Sequence, residues 1–354
     1  MNNDKYYIES HKLIYHLDRV LDWLNNKDIY PIYIEIAPTG VCNHRCIFCA
    51  LDYLNYKPNF LEKDILKKFL YDIAKANVKS IMFAGEGEPL LHKDIDFFVN
   101  YAKKCNLDVA ITTNGVFLDK FVEKILPDLE WIRVSLNAGK NTTYSKIHRT
   151  KKEDFDKVIN NLFYAVKLKE KNKYNTTIGV QFLLLNENYK EIFMLIDILK
   201  DIGVDYLIIK PYSQHPYSIN RLEDRLYYDR FLKLEKEIEN YPKKNLEVIF
   251  RKNTLLKMEG DRLYKKCFGL VFWAYLASNG DLYACSSFLN DKRFLYGNIY
   301  KEDFKSIWHG KKKKKILKMM KKFNIYNCRK ACRLDEINKY LWMLKNPPQH
   351  VNFI

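Results

Sequence analysis

Six apolar strand patterns alternate with amphipathic helical patterns between residues 31 and 210. The strands are read at 31–37, 78–84, 108–113, 131–137, 176–184 and 205–210. Helical spacing fills the gaps at 61–76, 93–105, 117–125, 152–172 and 188–202. Crossovers of this length join parallel neighbours, because antiparallel hairpins need only short turns. Six such units fall short of the eight that close a barrel. The expected fold class is therefore α/β, a partial (β/α)6 TIM-like barrel, followed by a small C-terminal α+β domain. Ligands should gather where the strands end at their C-termini, as they do in complete barrels.

The 354 residues divide on this reading into five parts. Residues 1–29 form an N-terminal helical extension with one amphipathic stretch at 11–24. Residues 30–217 form the barrel core, and 218–260 a linker region with a charged helix at 222–240 and a strand at 246–251. Residues 261–335 form a small C-terminal domain, and 336–354 a C-terminal tail.

Hydrophobic residues are 47% and aromatics 15%, which fits a folded globular chain rather than a disordered one. No apolar run approaches the roughly 20 residues that span a bilayer. The opening Met1-Asn-Asn-Asp-Lys5 lacks a secretory pattern, so no membrane association and a cytoplasmic location are expected. The net charge of +17 is spread along the chain without a nucleic-acid-binding motif, and no nucleic-acid partner is expected. The densest run, 311–315, continues an apolar-periodic stretch and reads as a helix with a solvated lysine face. Its alternative use is docking of an acidic electron donor such as flavodoxin or ferredoxin.

Eight cysteines in a chain of this type point to metal ligation rather than disulfides. Cys42, Cys46 and Cys49 follow the first strand through the turn Pro38-Thr-Gly40. A cubic iron–sulfur cluster usually takes four thiolates. Three thiols on one loop can hold such a cluster and leave one iron open to another ligand. A structural zinc site, or a set completed by a distant cysteine, is the other reading. Cys105 stands alone at the end of a helical pattern and reads as an ordinary half-buried thiol. Cys267, Cys285, Cys328 and Cys332 form a second group. Cys267 and Cys285 flank a hairpin whose Asn279-Gly280 favours a tight turn, and a helix at 301–323 precedes Cys328. Four thiolates suffice for one fully ligated cluster, or for zinc.

A strand followed by Cys-x-x-x-Cys-x-x-Cys resembles the signature of the radical S-adenosylmethionine (SAM) superfamily. The resemblance implies that the amino and carboxylate groups of SAM chelate the open iron. The reduced cluster then cleaves SAM to methionine and a 5′-deoxyadenosyl radical, which abstracts a hydrogen atom from substrate. Phe48 would pack over cluster and adenine. Gly85-Glu86-Gly87-Glu88-Pro89 after the second strand resembles the family's Gly-Gly-Glu-Pro motif, with Glu86 in place of the first glycine. Backbone carbonyls there and Glu88 would receive the SAM amino group, and Glu86 would bind substrate or SAM. Thr112, Thr113 and Asn114 would lie near the ribose. Ser135 and Asn137 end the fourth strand, Ser135 resembling a SAM contact. Arg149 resembles the arginine that pairs with the SAM carboxylate. Gln181 and Lys210 are pocket candidates. Residues 210–217 form a candidate substrate loop in which His215 is either a general acid or an ordinary loop histidine.

The C-terminal cysteines resemble the SPASM module or its shortened twitch form. The Gly280-to-Cys285 spacing, Gly297-Asn-Ile299 and Ile307-Trp308 carry that resemblance. A full SPASM module has seven cysteines for two clusters, so four favour the single-cluster form. The implied cofactors are a SAM-binding 4Fe-4S cluster on three cysteines, a second 4Fe-4S cluster on four, and SAM. An auxiliary cluster can take up the surplus electron of a substrate radical. The expected activity is accordingly oxidation or epimerisation of a small hydroxylated substrate, such as a sugar, amino sugar or nucleotide sugar. The alternative is a peptide-modifying maturase, for which the leading segment is short as a recognition domain. A non-catalytic electron-transfer protein is the third, and has no need of the barrel-mouth motifs.

Overall fold

Side chains alternate across each barrel strand, and the alternation builds two environments. In this computed structural model, residues 5–222 and 228–353 are described. The strands are β1 (Tyr33–Ile36), β2 (Ser80–Phe83), β3 (Asp108–Thr113), β4 (Trp131–Ser135) and β5 (Thr177–Leu184). They continue as β6 (Tyr206–Pro211), β7 (Glu247–Phe250), β8 (Trp273–Leu276), β9 (Asp281–Tyr283) and β10 (Leu295–Asn298). Ile34, Phe83, Ile111 and Val134 face outward and join the large core beneath the helices. The intervening residues face inward, where Met82, Ala84 and Ala110 pack with Tyr33 and Trp131.

The outer helices bury one stripe each. In Glu153–Asn172, Phe155, Val158, Leu162, Ala165 and Val166 recur at three- and four-residue spacing and are buried. The helix Ile192–Ile202 stops at Gly203, whose φ of 89° is the left-handed conformation a helix end favours in glycine.

Pairing runs in the order β10-β9-β8-β1-β2-β3-β4-β5-β6-β7. The expected six parallel units are β1 to β6. The segment read as a linker supplies β7, which pairs in parallel with β6. The predicted hairpin forms as β8 and β9, turning at Gly280 with φ of 84°. Strand β8 also pairs in parallel with β1, with Tyr33 opposite Trp273 and Ile36 opposite Leu276. The barrel sheet and the cysteine module therefore share one hydrogen-bonded sheet.

The termini are built in as well. Tyr6 and Ile8 cap an inward cluster of Tyr206, Ile208 and Ile249 at the strand starts. The helix Asp335–Lys345, in the segment read as a tail, sends Leu341 into a cluster with Leu13, Val20 and Phe272.

Two helix readings change. The stretch 301–323 is two helices, Phe304–His309 and Lys311–Met320, broken at Gly310. A Cβ there would lie 2.8 Å from the Ser306 carbonyl. The lysine run is not wholly solvated either. Lys313 is buried, with Nζ 2.8 Å from Asp28 Oδ1 and 4.1 Å from the Trp308 ring centre. Of the helix read at 222–240, Tyr228–Glu239 is helical, and 223–227 lie outside the described residues. Among the described residues no helix is long and apolar enough to cross a membrane.

Candidate active site

The three-cysteine loop leaves the C-terminal end of β1 and is tied down on both flanks. The Arg45 and Ile47 amides donate to the carbonyls of His148 and Ile147, at 3.1 and 2.9 Å. Those carbonyls end the helix Asn141–His148, where helical carbonyls lack internal partners. On the other flank the Glu88 amide donates to the Val41 carbonyl at 2.8 Å. Gly87 permits this approach, since a Cβ there would lie 2.2 Å from that oxygen.

Cys42, Cys46 and Cys49 are partly buried free thiols. Burial, with Glu88 adding repulsion, pushes the Cys42 thiol up to about 12. Burial also raises Cys49, and raises Cys46 well above the usual thiol range with the other two cysteines adding repulsion. Three mutually repelling thiols hold as thiolates only around a compensating cation or cluster. Soft sulfur donors suit iron–sulfur and zinc chemistry, so this donor set fits a cluster. The His44 amide points at Cys42 Sγ, 3.5 Å away. Ligand atoms of His44, Cys46 and His148 also lie within 4.8 Å of one another. His148 already spends both nitrogens, on Cys46 Sγ and on the Asn137 amide, each at 3.3 Å.

The other predicted residues surround this loop with unequal freedom. Gly85 has φ of 126°, and a Cβ there would meet Ala37 at 2.5 Å. Glu88 is buried and accepts from Leu90 N, Thr113 Oγ1 and Asn114 N at 3.0, 2.6 and 2.7 Å. Burial still pushes its carboxyl up to about 6. Its described bonds thus join the Pro89–Leu91 turn to the end of β3. Glu86 turns toward the C-terminal module and accepts from the Ser278 hydroxyl. Asn114 bonds Asn43 of the cysteine loop at 2.7 Å. Thr112, Ser135 and Gln181 are half-buried on inward positions, with Ser135 opposite Gln181 across β4 and β5. Asn137 is wholly inside, accepting from Leu183 N at 2.7 Å. Phe48 stands edge-on to His148, ring centres 5.3 Å apart. Arg149 is exposed and left-handed, with φ of 48°.

His215 is buried against Tyr53, ring centres 5.3 Å apart. Burial pushes its pKa down to about 4, with Arg329 adding to the effect. It is therefore neutral near pH 7 and has no proton to spare as an acid. Asp52, which the sequence did not single out, fixes this loop by accepting from Ile219 N and Asn220 N at 2.8 and 2.7 Å.

The second cysteine group converges. Cys267, Cys285, Cys328 and Cys332 line one largely apolar cavity with Leu270, Phe288 and Met320. Backbone amides of Ser287 and Leu334 point at Cys285 Sγ and Cys332 Sγ, both at 3.4 Å. Asn338 Nδ2 points at Cys267 Sγ at 3.5 Å, while its carbonyl oxygen accepts from Phe268 N and Gly269 N. Burial raises all four thiols, Cys267 and Cys328 to about 12. Sulfurs gathered in a dry pocket under N–H donors fit a fully ligated cluster. Asn338 and His148 carried no signal in a single sequence beyond lying near other candidates. Cys105 caps the helix Ile95–Lys104, on an outer helix.

A three-thiol loop at the mouth of an open parallel barrel, joined to a four-thiol pocket, defines a two-cluster iron–sulfur enzyme. The family model of the radical SAM superfamily matches residues 36–199, and that of the SPASM iron-sulfur cluster-binding domain matches 267–333. A GTP 3′,8-cyclase of Nautilia profundicola is 30% identical over 221 residues, 60% of this chain and 67% of that protein. A probable GTP 3′,8-cyclase of Saccharolobus islandicus is 28% identical over 213 residues, 60% of this chain and 64% of that one. The structure of Streptococcus suis SuiB bound to S-adenosylmethionine aligns with TM-score 0.66 and 19% identity, over 84% of this chain and 70% of SuiB. That of anSMEcpe with bound AdoMet aligns with TM-score 0.60 and 19% identity, over 89% and 95%. The chain belongs to the radical SAM superfamily and carries a C-terminal SPASM domain. Its cofactors are accordingly two 4Fe-4S clusters and SAM.

Proposed function

We propose that this enzyme reductively cleaves SAM and uses the resulting radical to abstract a hydrogen atom from a small substrate inside the barrel. The observation that carries the reading is the pairing of β1 with β8. It ties the three-thiol loop, which follows β1, and the four-thiol pocket, built around β8 and β9, to one sheet. Cys42, Cys46 and Cys49 hold the SAM-binding cluster, and Cys267, Cys285, Cys328 and Cys332 the auxiliary one. The Gly85–Pro89 turn, the Thr112–Asn114 edge, Ser135 and Gln181 form the SAM-facing wall, and Asn137 backs it by holding His148. Arg149, exposed beside Cys46, offers its guanidinium fork to the SAM carboxylate. Phe48, edge-on to His148, would pack over cluster and adenine.

When bound, the first cluster supplies the electron that splits SAM into methionine and a 5′-deoxyadenosyl radical, and the second can take an electron from the substrate. The expected outcome is a redox-assisted change at carbon, an oxidation or epimerisation of a small hydroxylated molecule. The relatives named as GTP 3′,8-cyclases add ring closure on a nucleotide as a related outcome. With a net charge of +17, an acidic flavodoxin or ferredoxin is the fitting electron donor.

The test is anaerobic reconstitution followed by dithionite reduction with SAM. About eight irons per chain and 5′-deoxyadenosine formation are expected. A Cys42/Cys46/Cys49 triple-Ala variant should retain about four irons and make none. Cleavage of SAM by that variant would overturn the reading.

A further inference from the structure

The lysine run forms one face of a helix whose other face reaches the four-thiol pocket. In Lys311–Met320, Lys313, Ile316 and Met320 are buried at three- and four-residue spacing. Met320 lines the cavity that Cys267, Cys285, Cys328 and Cys332 share. Just past the helix, the Phe323 ring centre stands 5.7 Å from those of Phe288 and Phe294, which line the same cavity. Lys311, Lys314, Lys315 and Lys318 fall on the opposite side of the helix and are exposed, and Lys321 and Lys322 extend them. A single helix therefore separates this basic face from the thiols.

The face is positive and uncompensated. Residues 304–334 hold lysines and arginines but no aspartate or glutamate. Among the described residues, none of these exposed lysines forms an ion pair, and the helix's own pair is buried Lys313 with Asp28. Of the acids that flank the stretch, Asp303 accepts from Ser306 N, Asp335 is held by Tyr264 and Arg262, and Glu336 by Lys257 and Lys339. Glu302 remains as an exposed carboxylate at the edge. Four thiolates outweigh the positive charge of a 4Fe-4S core, so the filled pocket is itself anionic. That charge lies behind the helix, whereas the lysines project into water and set the field a partner meets. Like charges four residues apart weaken a helix, and Lys311 with Lys315 and Lys314 with Lys318 are such pairs. An acidic surface laid on them would relieve that repulsion. A nucleic acid or a membrane would also meet this charge, but neither would use the redox site behind it.

An auxiliary cluster that takes an electron from a substrate radical must give it up before the next turnover. We propose that the lysine face docks a small acidic one-electron carrier, a flavodoxin or a ferredoxin, which takes that electron from the auxiliary cluster. The reduced cluster loses one electron and the oxidised carrier gains one. In a flavodoxin the flavin becomes the semiquinone and takes a proton from solvent. The inference rests on the radical reading above and adds the place where the electron leaves.

Oxidised flavodoxin is the probe. The reconstituted holoenzyme is reduced with dithionite, freed of it by gel filtration and mixed with the probe by stopped flow at low salt, and semiquinone absorbance is followed. Lys314→Gln/Lys315→Gln/Lys318→Gln should lower the second-order rate constant about tenfold or more. Raising the salt to about 0.5 M should slow the parent as well. Lys171→Gln/Lys233→Gln/Lys236→Gln removes the same charge from exposed positions on other helices and should react as the parent does. The Cys42/Cys46/Cys49 triple-Ala variant, left with the auxiliary cluster, should still reduce the probe. Equal rates in the Lys314/Lys315/Lys318 variant and the parent, an equal loss in the control, a parent rate indifferent to salt, or no transfer from the triple-Ala variant would each overturn the inference. With equal rates, binding of single-stranded RNA or phosphatidylserine vesicles to the parent alone would give the face to a polyanion instead. Iron content checks folding throughout. 5′-Deoxyadenosine formation by the parent is read in parallel. Its presence without lysine dependence removes only this inference, and its absence removes the radical reading itself.

Discussion

His148 Nδ1 stands 3.3 Å from Cys46 Sγ, and Asn137 decides which ring nitrogen carries the proton. Leu183 N donates to Asn137 Oδ1 at 2.7 Å, so the amide nitrogen of Asn137 is the group facing His148 Nε2. Nε2 then accepts, and Nδ1 aims its hydrogen at the sulfur. N–H bonds to ligand sulfur favour the reduced, more negative cluster. His148→Phe fills similar space and removes the bond. The expected result is unchanged iron content and a first-cluster potential lower by on the order of tens of millivolts, read by EPR-monitored titration. An unchanged potential would refute the role.

The four-thiol pocket gives a second prediction. Cys285 is buried and lines it with three other cysteines. Cys285→Ala should lower iron from about eight to about four per chain. 5′-Deoxyadenosine should still form while turnover of substrate is lost. Full turnover by this variant would take the auxiliary cluster off the electron path.

Asp52 is a structural clasp open to direct measurement. Its carboxylate accepts two backbone amides from the loop after β6 and is 5% exposed. Asp52→Ala leaves both amides without that acceptor and should destabilise the fold by about 3 kcal/mol, by denaturant titration. Cleavage by trypsin at Arg221 should accelerate. Equal proteolysis in variant and parent would mean the loop is held by its other contacts.

His215 sets a pH dependence with a definite sign. Its folded pKa of about 4 lies below the unfolded value, so the unfolded chain takes up a proton first as pH falls. Stability is therefore full above about pH 6.5 and declines below it. Between pH 6.5 and 5 the loss should be about 2 kcal/mol. In His215→Phe that share of the slope should vanish. A variant with the parent's slope would show that other groups carry the acid sensitivity.

Much of the fold was legible because its signals are local. Period-two apolar strands, three- and four-residue helical stripes and glycines at tight turns each betray themselves within a few residues. The six barrel strands and both cysteine groups were readable for that reason. The pairing of β8 with β1 was not, because register between segments some 240 residues apart leaves no local trace. Lys313 was misread as solvated because its partners, Asp28 and the Trp308 face, are supplied by tertiary packing. His148 was not singled out, because only the fold shows that the helix end turns it inward beside Cys46. Asn338 fell in a segment read as tail, yet its amide supports the Cys267 loop.

The parallel ladder between β1 and β8 has a kinetic consequence. Electron tunnelling falls off exponentially with separation, so a flexible link between two redox centres would spread their transfer rates over a wide range. Here the offset between the cysteine loop after β1 and the pocket beyond β8 is fixed by strand register, Tyr33 to Trp273 through Ile36 to Leu276. Electron passage between the two sites should therefore be insensitive to solvent viscosity, because a shared strand register and not a linker joins them.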